Sequence, residues 1–213
     1  MDQTKQKWLA LFMTEVEVHV DGSCEPVNPG GIASYGYVIY KDGKKIASNS
    51  GVVEGGPTSN NVAEYWAAIK ALEWLKDNGF APEEVVLRSD SSLMINQLEG
   101  RYKVRAWRIL PLYQNLQKLL ADFKKIRFEW IPREENEEAD ALSKQAYEDY
   151  VSSHPEVLRN YSKYLATERQ REMMEKLGIP FSPAISRGMA ARLINEKTRK
   201  LGRRKKGSFQ QIY

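Results

Sequence analysis

The first clear pattern in the sequence is an alternation that constrains the fold. From Glu15 to Val20 every second residue is apolar. A period of two predicts a half-buried β-strand, and Asp21 with Gly22-Ser23 directly after it indicates where the strand breaks. A strand with one apolar face needs other elements to cover that face. The chain is therefore expected to build a sheet packed against helices.

The rest of the pattern predicts which elements accompany this strand. Lys41-Asp42-Gly43-Lys44 carries an Asp-Gly turn signal, so the second and third strands are expected to form a hairpin. Pro111 marks a first helical turn or a break. The predicted strands are 14–21, 34–41, 44–53, 85–89 and 126–131. The predicted helices are 61–77, 91–98, one or two within 104–123, and 137–150. This order predicts an α/β fold with a mixed five-stranded sheet flanked by helices.

Charge divides the chain into an acidic body and a basic end. Residues 1–151 hold 18 Lys and Arg against 23 Asp and Glu, which gives −5. Residues 152–213 hold 14 against 5, which gives +9, and the sum is the net +4 of the whole chain. This asymmetry suggests a polyanionic partner, although a solvated, frayed end is the alternative. Helices are expected at 157–176 and 183–201, the second capped by Ser182-Pro183, with a mobile segment at 202–207.

Composition excludes several classes of protein. One cysteine, Cys24, rules out a disulfide within the chain and fits a reducing compartment, so the cytoplasm is the expected location. No stretch approaches the ~20 apolar residues of a membrane span, so no membrane partner is expected. Residues 1–13 are interpreted as an N-terminal leader, residues 14–151 as the main folded domain and residues 152–213 as a basic helical extension.

Four acids stand where predicted elements begin or end, namely Asp21, Glu64, Asp90 and Asp140. Taken singly, each also fits a turn, a helix cap or a favourable contact with a helix dipole. Glu64 stands out because it heads a row of apolar positions at helical spacing: Ala68, Ala71 and Leu75. Carboxylates that converge repel one another unless a hard cation such as Mg²⁺ lies between them.

The motifs around these acids resemble ribonuclease H of the type 1 class over about residues 14–150. The resemblance rests on Val20-Asp21-Gly22-Ser23-Cys24, Asn28-Pro29-Gly30-Gly31, Thr58 to Glu64, Ser89-Asp90-Ser91 and Asn136 to Ser143. Several blocks in this order are far more specific than one Asp-Gly-Ser. The resemblance implies a ribonuclease H-like fold with a small helical C-terminal appendage.

The resemblance also implies an activity and a cofactor. It assigns Asp21, Glu64, Asp90 and Asp140 as the catalytic and metal-binding residues. It implies hydrolysis of the RNA strand of RNA–DNA hybrids with two Mg²⁺ ions, for which Mn²⁺ is a possible substitute. The products would carry 5′-phosphate and 3′-hydroxyl ends. Two alternatives stay open: a hybrid-binding module that does not cut, and another nuclease of the same superfamily.

Substrate contacts follow from the same resemblance. Asn28 and Asn61, with Asn60 beside them, are expected to read the minor groove of the hybrid, while Ser59 and Cys24 contact its DNA side. A turn residue and a helix cap are the structural alternatives for Asn28 and Asn61. A reduced basic segment contains Arg101, Lys103 and Trp107, which are expected to grip phosphates and stack on sugars. Its alternative is a helix surface with two core aromatics.

Two departures from the family pattern bear on the site. The loop before the last acid, Pro132 to Glu135, contains Arg133 and lacks the mobile histidine of many members. Arg133 is expected to bind substrate there and to help move the product phosphate. Ser92 stands where a glutamine is common.

The C-terminal extension is expected to bind nucleic acid or a protein.

Overall fold

The computed structural model of the chain describes residues 15–207, with side chains up to Leu201. The predicted leader, residues 1–13, lies outside this part. The described residues form two compact units. The first contains residues 15–24 and Asn28–Asp149, and the second contains Glu25–Val27 and residues 150–207.

The first unit is built on one mixed sheet with helices. Its strands are β1 (Glu15–Glu25), β2 (Ile32–Lys41), β3 (Lys44–Val52), β4 (Glu84–Ser89) and β5 (Lys125–Trp130). Its helices are α1 (Asn60–Asp77), α2 (Ser92–Leu98), α3 (Leu110–Leu120) and α4 (Glu137–Ser153), the last of which runs on into the second unit. The sheet order is β3-β2-β1-β4-β5, with β2–β3 antiparallel and both β1–β4 and β4–β5 parallel. The predicted α/β fold with a mixed five-stranded sheet is confirmed.

The alternation in β1 sets the core of this unit. Val16, Val18 and Val20 are completely buried. They belong to one apolar cluster with the inward face of α1, which includes the predicted row Ala68, Ala71 and Leu75. Alternate strand residues point to one face, so three valines and one helix face build the core together.

The predicted hairpin between β2 and β3 is also confirmed. Asp42 and Gly43 join the strands, with φ angles of 52° and 71°. Two consecutive residues with positive φ give the turn whose twist matches that of paired strands. Aspartate tolerates this backbone region better than most residues other than glycine, which explains why Asp-Gly signals the turn so well.

The predicted strand break at Gly22-Ser23 is wrong. β1 continues through both residues to Glu25, so Asp21 lies inside the strand. A Cβ on Gly22 would lie 2.2 Å from the backbone nitrogen of Glu64. The glycine is therefore needed for the close approach of β1 to α1, and it does not end the strand.

The segment predicted to hold one or two helices at 104–123 contains one, α3. Pro111 lies in its first turn, where a missing backbone N–H costs nothing. Residues 101–109 before it form no helix or strand. The basic aromatic segment predicted from the sequence is therefore a loop.

The second unit contains a 3₁₀ helix (Pro155–Tyr164), α5 (Glu168–Lys176) and α6 (Arg187–Gly207). The prediction of one helix over 157–176 is wrong. Leu165 pairs with Ser186 in an isolated β-bridge, and Thr167 caps α5 with a capping box through Gln170. Tertiary pairing and a new cap interrupt the helical pattern between Tyr164 and Glu168.

The start and end predicted for the last helix are also corrected. Ser182 does not cap it; the Ser186 hydroxyl accepts a hydrogen bond from the Met189 backbone N–H at 3.3 Å. The helix continues through residues 202–207, which were predicted to be mobile. Buried side chains between α5 and α6 form a small core of Ala166, Met174, Ile185 and Ala190.

None of the helices within residues 15–207 combines the length and apolarity that crossing a bilayer requires.

The approach of α4 to β2 yields a stability prediction. A Cβ on Gly36 would lie 2.6 Å from the carbonyl oxygen of Ala139 and 2.6 Å from the backbone nitrogen of Ser143. Backbone atoms cannot yield cheaply, so Gly36→Ala is expected to lower the free energy of unfolding by about 2 kcal/mol or more. Denaturant titration measures the change.

Gly188→Ala is the matched control. Nothing lies within 4 Å of a Cβ at this helical position. Alanine is expected to raise the free energy of unfolding by about 0.5–1 kcal/mol there, because it restricts the unfolded chain and favours the helix. Equal stability of Gly36→Ala and the wild-type chain would contradict the proposed close packing.

Candidate active site

Three of the predicted acids converge at one point. Asp21 lies in β1, Glu64 lies near the start of α1, and Asp90 directly follows β4. A carboxylate oxygen of each lies within 4.8 Å of one from each of the others. We call these three residues the carboxylate cluster. Residues separated widely in the sequence meet here because β1 and β4 are neighbouring parallel strands and Gly22 lets α1 approach them.

Asp21 is a buried member of the cluster. Only 6% of its surface is exposed, and the Ser143 hydroxyl donates a hydrogen bond to its Oδ2. The pKa of Asp21 is raised to about 6, chiefly by burial; the charges of Asp90 and Asp140 contribute to the rise, while the Ser143 hydrogen bond and the charge of Arg133 oppose it. In the metal-free protein this carboxylate therefore holds a proton far more readily than an ordinary aspartate does.

Glu64 shows the same effect more strongly. Burial raises its pKa well above the usual value, and the charges of Asp21 and Asp90 add to the effect. The Ser89 hydroxyl, itself fully buried, donates to Glu64 Oε2 at 3.3 Å. A glutamate held by one weak neutral donor beside two other acids is poorly compensated, which favours binding of a cation.

Asp90 is held by its backbone and by one amide. The indole Nε1 of Trp130 donates to the Asp90 carbonyl oxygen at 3.1 Å. The side-chain Nδ2 of Asn136 donates to Asp90 Oδ1 at 3.2 Å. The next residue, Ser91, caps α2 through its side chain. The cap predicted as the structural alternative for Asp90 therefore belongs to Ser91.

Asp140, the fourth predicted acid, has different partners. It is not one of the three acids that lie within 4.8 Å of one another. Arg133 and Lys144 donate to its two carboxylate oxygens, one each. Burial opposes ionisation of Asp140, but the hydrogen bonds from Lys144 and Arg133 outweigh it and lower the pKa. Asp140 is nevertheless close enough for its charge to raise the pKa of Asp21.

The chemistry of the cluster fits a divalent cation. Its ligands are carboxylate oxygens, which hard ions such as Mg²⁺ prefer. Neither serine that contacts the cluster can neutralise a negative charge, whereas the cations Arg133 and Lys144 are engaged by Asp140. Asp21, Glu64 and Asp90 are therefore the residues that would hold such an ion, with Asp140 beside them.

The predicted minor-groove residues lie together on the surface. Asn28 Oδ1 accepts a hydrogen bond from the Asn60 backbone N–H at 3.1 Å, and Gly30 N–H donates to the Thr58 carbonyl at 3.1 Å. These bonds join the turn at Asn28 to the start of α1, and the side chains of Asn28, Asn60 and Asn61 are exposed there. The alternative role of helix cap belongs to Ser59, whose hydroxyl accepts from the Val62 N–H, and not to Asn61.

Cys24 differs from the other predicted substrate contacts. It lies within β1 and is only 4% exposed. Its side chain is thus enclosed by the protein, which leaves its backbone as the part available for a contact with DNA.

The loop at 101–109 presents aromatic and basic side chains to solvent. Trp107 is 71% exposed and Tyr102 is 54% exposed. The Arg108 guanidinium lies 5.8 Å from the centroid of the Trp107 ring. Arg101 pairs with Glu99, and Lys103 is exposed. The alternative of core aromatics on a helix surface is wrong, because both rings lie outside the core.

Sequence reasoning missed four side chains that support the acids. Ser89, Trp130, Asn136 and Ser143 each hydrogen-bond an acid or its backbone. Ser143 follows Asp140 by three residues, a spacing that places both on one helix face and could have indicated it. The others are linked to the site only through the tertiary structure.

Comparison with known proteins identifies the family. A family model described as Reverse transcriptase-like matches residues 19–146. Ribonuclease H of Escherichia coli is 32% identical over 150 residues, which cover 63% of this chain and 90% of that protein. The chain belongs to the ribonuclease H family. The family predicted from the sequence is therefore confirmed.

Two further relatives of this ribonuclease H family member extend the comparison. The Bifunctional protein Rv2228c of Mycobacterium tuberculosis is 37% identical over 140 residues. The match covers 65% of this chain but only 37% of the length of that relative. The crystal structure of LC11-RNase H1 in complex with an RNA/DNA hybrid has a TM-score of 0.59 at 33% identity. It covers 64% of this chain and 99% of the solved one.

The raised pKa of Asp21 predicts how stability depends on pH without metal. The folded-state pKa of about 6 exceeds the ordinary 3.8. The folded state therefore keeps a proton that the unfolded state releases between these values, and stability falls as pH rises through that window. Asp21→Asn removes this loss. We expect it to stabilise the metal-free protein by ~3 kcal/mol at pH 7 and to have almost no effect below pH ~3.5.

Chemical denaturation in EDTA across this pH range measures the effect. Asp42→Asn is the matched control, because it removes the same charge at an exposed turn residue whose positive φ asparagine also adopts. Parallel pH profiles for the wild-type chain and Asp21→Asn would show that burial and repulsion do not act on Asp21 as described.

Proposed function

We propose that this chain is an endonuclease that hydrolyses the RNA strand of RNA–DNA hybrids with Mg²⁺. The carboxylate cluster carries the proposal, since three acids from three separate elements converge within 4.8 Å on a ribonuclease H fold. A solved relative bound to an RNA/DNA hybrid supports the choice of substrate.

Asp21, Glu64 and Asp90, with Asp140 beside them, would hold the ions. When bound, two Mg²⁺ ions would lower the pKa of the attacking water and neutralise the leaving 3′ oxygen, so the products carry 5′-phosphate and 3′-hydroxyl ends. Mn²⁺ is a possible substitute, since it also prefers oxygen ligands.

The protein's own contribution is to fix the carboxylates before substrate arrives. Ser143 and Ser89 donate to Asp21 and Glu64 from buried positions, and Asn136 donates to Asp90. Buried donors restrict rotation of each acid, so little reorganisation is needed when charge develops at the phosphate.

Recognition of RNA is assigned to the turn at Asn28 and the first residues of α1. The exposed amides of Asn28, Asn60 and Asn61 offer both donors and acceptors. A ribose 2′-hydroxyl is both a donor and an acceptor, and an A-like hybrid displays it in a wide, shallow minor groove. Ser59 and the backbone of Cys24 would contact the DNA side.

The exposed loop at 101–109 would hold the flanking part of the hybrid. Trp107 offers an open ring face for stacking on a sugar or base, and Arg101 and Lys103 supply charge for phosphates. Arg133 has a side chain that is 63% exposed while it contacts Asp140, so it can reach a product phosphate.

The organisation proposed for the whole chain follows from this assignment. Residues 14–151 form the catalytic domain, and residues 152–213 form a basic extension that binds nucleic acid. The single cysteine is consistent with a reducing compartment, and we place the protein in the cytoplasm.

Cleavage of matched substrates tests the activity. Labelled RNA–DNA hybrid, duplex DNA and duplex RNA are incubated in parallel with Mg²⁺. We expect the wild-type chain to cut only the RNA of the hybrid, and to lose cutting where the ribose 2′-hydroxyls near the cut are replaced by hydrogen. Asp21→Asn, Glu64→Gln and Asp90→Asn are each expected to slow cleavage by about 1,000-fold or more, and Asp140→Asn by less.

Asp42→Asn, which removes an exposed acid at the hairpin turn, should cut at the wild-type rate. If any variant of the carboxylate cluster cut the hybrid at the wild-type rate, the assignment of these acids as the metal site would be wrong. Hybrid binding without cutting would indicate a binding module, and equal cutting of duplex DNA would indicate another nuclease of the superfamily.

If the basic extension contacts the hybrid, the affinity for the hybrid should fall as the salt concentration rises. Arg187, Arg199 and Lys200 are exposed on α6. Each phosphate contact that is lost lowers the slope of log affinity against log salt by roughly 0.7–0.9. We expect the triple change to Gln to weaken hybrid binding at low salt and flatten this slope, while the cleavage rate at saturation stays the same. An unchanged slope would show that these side chains do not contact the polyanion.

A further inference from the structure

Asn136 occupies the residue before α4 and is 1% exposed. Its carbonyl oxygen accepts a hydrogen bond from the Asp140 backbone N–H at 3.0 Å, which is the first backbone bond of the helix. Asparagine is a preferred residue at such a position because its side-chain oxygen normally accepts from a backbone N–H of the first turn. Here that oxygen, Oδ1, is buried and has no hydrogen-bond partner in the structure.

The side chain is instead turned toward two acceptors. Its Nδ2 lies 3.0 Å from the carbonyl oxygen of Val20 and 3.2 Å from Asp90 Oδ1. The opposite orientation of the amide would bring Oδ1 against both oxygens, so the chemistry of the neighbours fixes which atom faces them. The amide nitrogen therefore donates to two acceptors at the site, and the Asn136 side chain does not cap α4.

This arrangement joins three segments that carry acids. Val20 directly precedes Asp21, the second acceptor is Asp90 itself, and the Asn136 backbone begins the helix that carries Asp140. An amide is neutral, so it can hold Asp90 close to Asp21 and Glu64 without adding a charge that would compete with a bound cation. A buried acceptor left without a partner costs stability, and such groups persist where another role requires them.

We infer that Asn136 is a positioning residue that sets the orientation of the Asp90 carboxylate for divalent-cation binding. The inference rests on the proposed function of the carboxylate cluster. Loss of the amide would leave Asp90 repelled by Asp21 and Glu64 with no donor to hold its Oδ1, and its carboxylate would rotate away from the shared site.

Two variants test the inference in the full-length protein. Asn136→Leu keeps the branched shape in a buried position but removes both donors. Asn136→Ser retains a residue that caps helices well, yet its single short hydroxyl cannot reach both Val20 and Asp90. Asn78→Leu is the control, since it removes an amide-to-carbonyl bond of the same kind, from Asn78 Nδ2 to Trp74, at an exposed helix end away from the acids.

Calorimetric titration with Mg²⁺ gives a readout that does not depend on activity. We expect both variants at Asn136 to bind Mg²⁺ at least tenfold more weakly than the wild-type and Asn78→Leu chains at a temperature far below their melting points. In hybrid cleavage kcat should fall while KM for the hybrid stays within about twofold, because Asn136 touches an acid and not the substrate. Saturating Mg²⁺ should restore part of kcat.

Unchanged Mg²⁺ affinity in folded Asn136→Ser would overturn the inference, even if its melting temperature were lower, because a purely structural role predicts that result. A failure of the proposed function is distinguishable: the wild-type chain would then bind Mg²⁺ and leave the hybrid uncut, while the titration of the variants would still report on Asn136.

Discussion

Repulsion among three converging carboxylates is the constraint on which the rest of the site depends. Asp21 and Glu64 are buried, and Asp90 is beside them within 4.8 Å. Burial and repulsion raise the pKa of Asp21 to about 6 and that of Glu64 well above its usual value. The donors that hold the three side chains, two serines and one asparagine, are neutral. The fold thus restrains the acids without neutralising them, and that task is left to a bound ion.

The fourth acid shows the opposite arrangement a short distance away. Asp140 contacts both Arg133 and Lys144, and its pKa is lowered because these hydrogen bonds outweigh burial. The acids of the carboxylate cluster therefore accept hydrogen bonds from neutral donors, whereas the neighbouring Asp140 accepts them from two cations. The Arg133 side chain is mostly exposed while it contacts Asp140, whereas Asp21 and Glu64 are buried.

Local patterns predicted the fold well, for reasons that lie in short-range physics. The alternation from Glu15 to Val20 and the Asp-Gly turn each depend on neighbouring residues alone, so both predictions are confirmed. The errors come from tertiary structure. Gly22 was predicted to end β1, but it lies within the strand and allows α1 to pack closely against it. The helix predicted over 157–176 is interrupted where Leu165 pairs with Ser186.

The candidate site was also predictable only in part. The acids could be predicted because they lie in motifs, but the groups that hydrogen-bond to them could not, because those groups are remote from the acids in the sequence. The amide of Asn136 donates to Val20 across 116 residues, and the hydroxyl of Ser143 donates to Asp21 across 122. No periodic pattern in the sequence indicates hydrogen bonds between residues so far apart. The aromatic loop at 101–109 was predicted as a binding segment, but only the structure shows that Trp107 lies outside the core.

Proton release on Mg²⁺ binding tests the central claim most directly. Calorimetry at pH 6 in two buffers with different ionisation enthalpies gives the number of protons released. Asp21, with a pKa of about 6, is then about half protonated, and burial also favours the protonated form of Glu64. The account predicts net proton release by the wild-type chain and less release by Asp21→Asn. Mg²⁺ binding without proton release, or with the same release in Asp21→Asn, would contradict it.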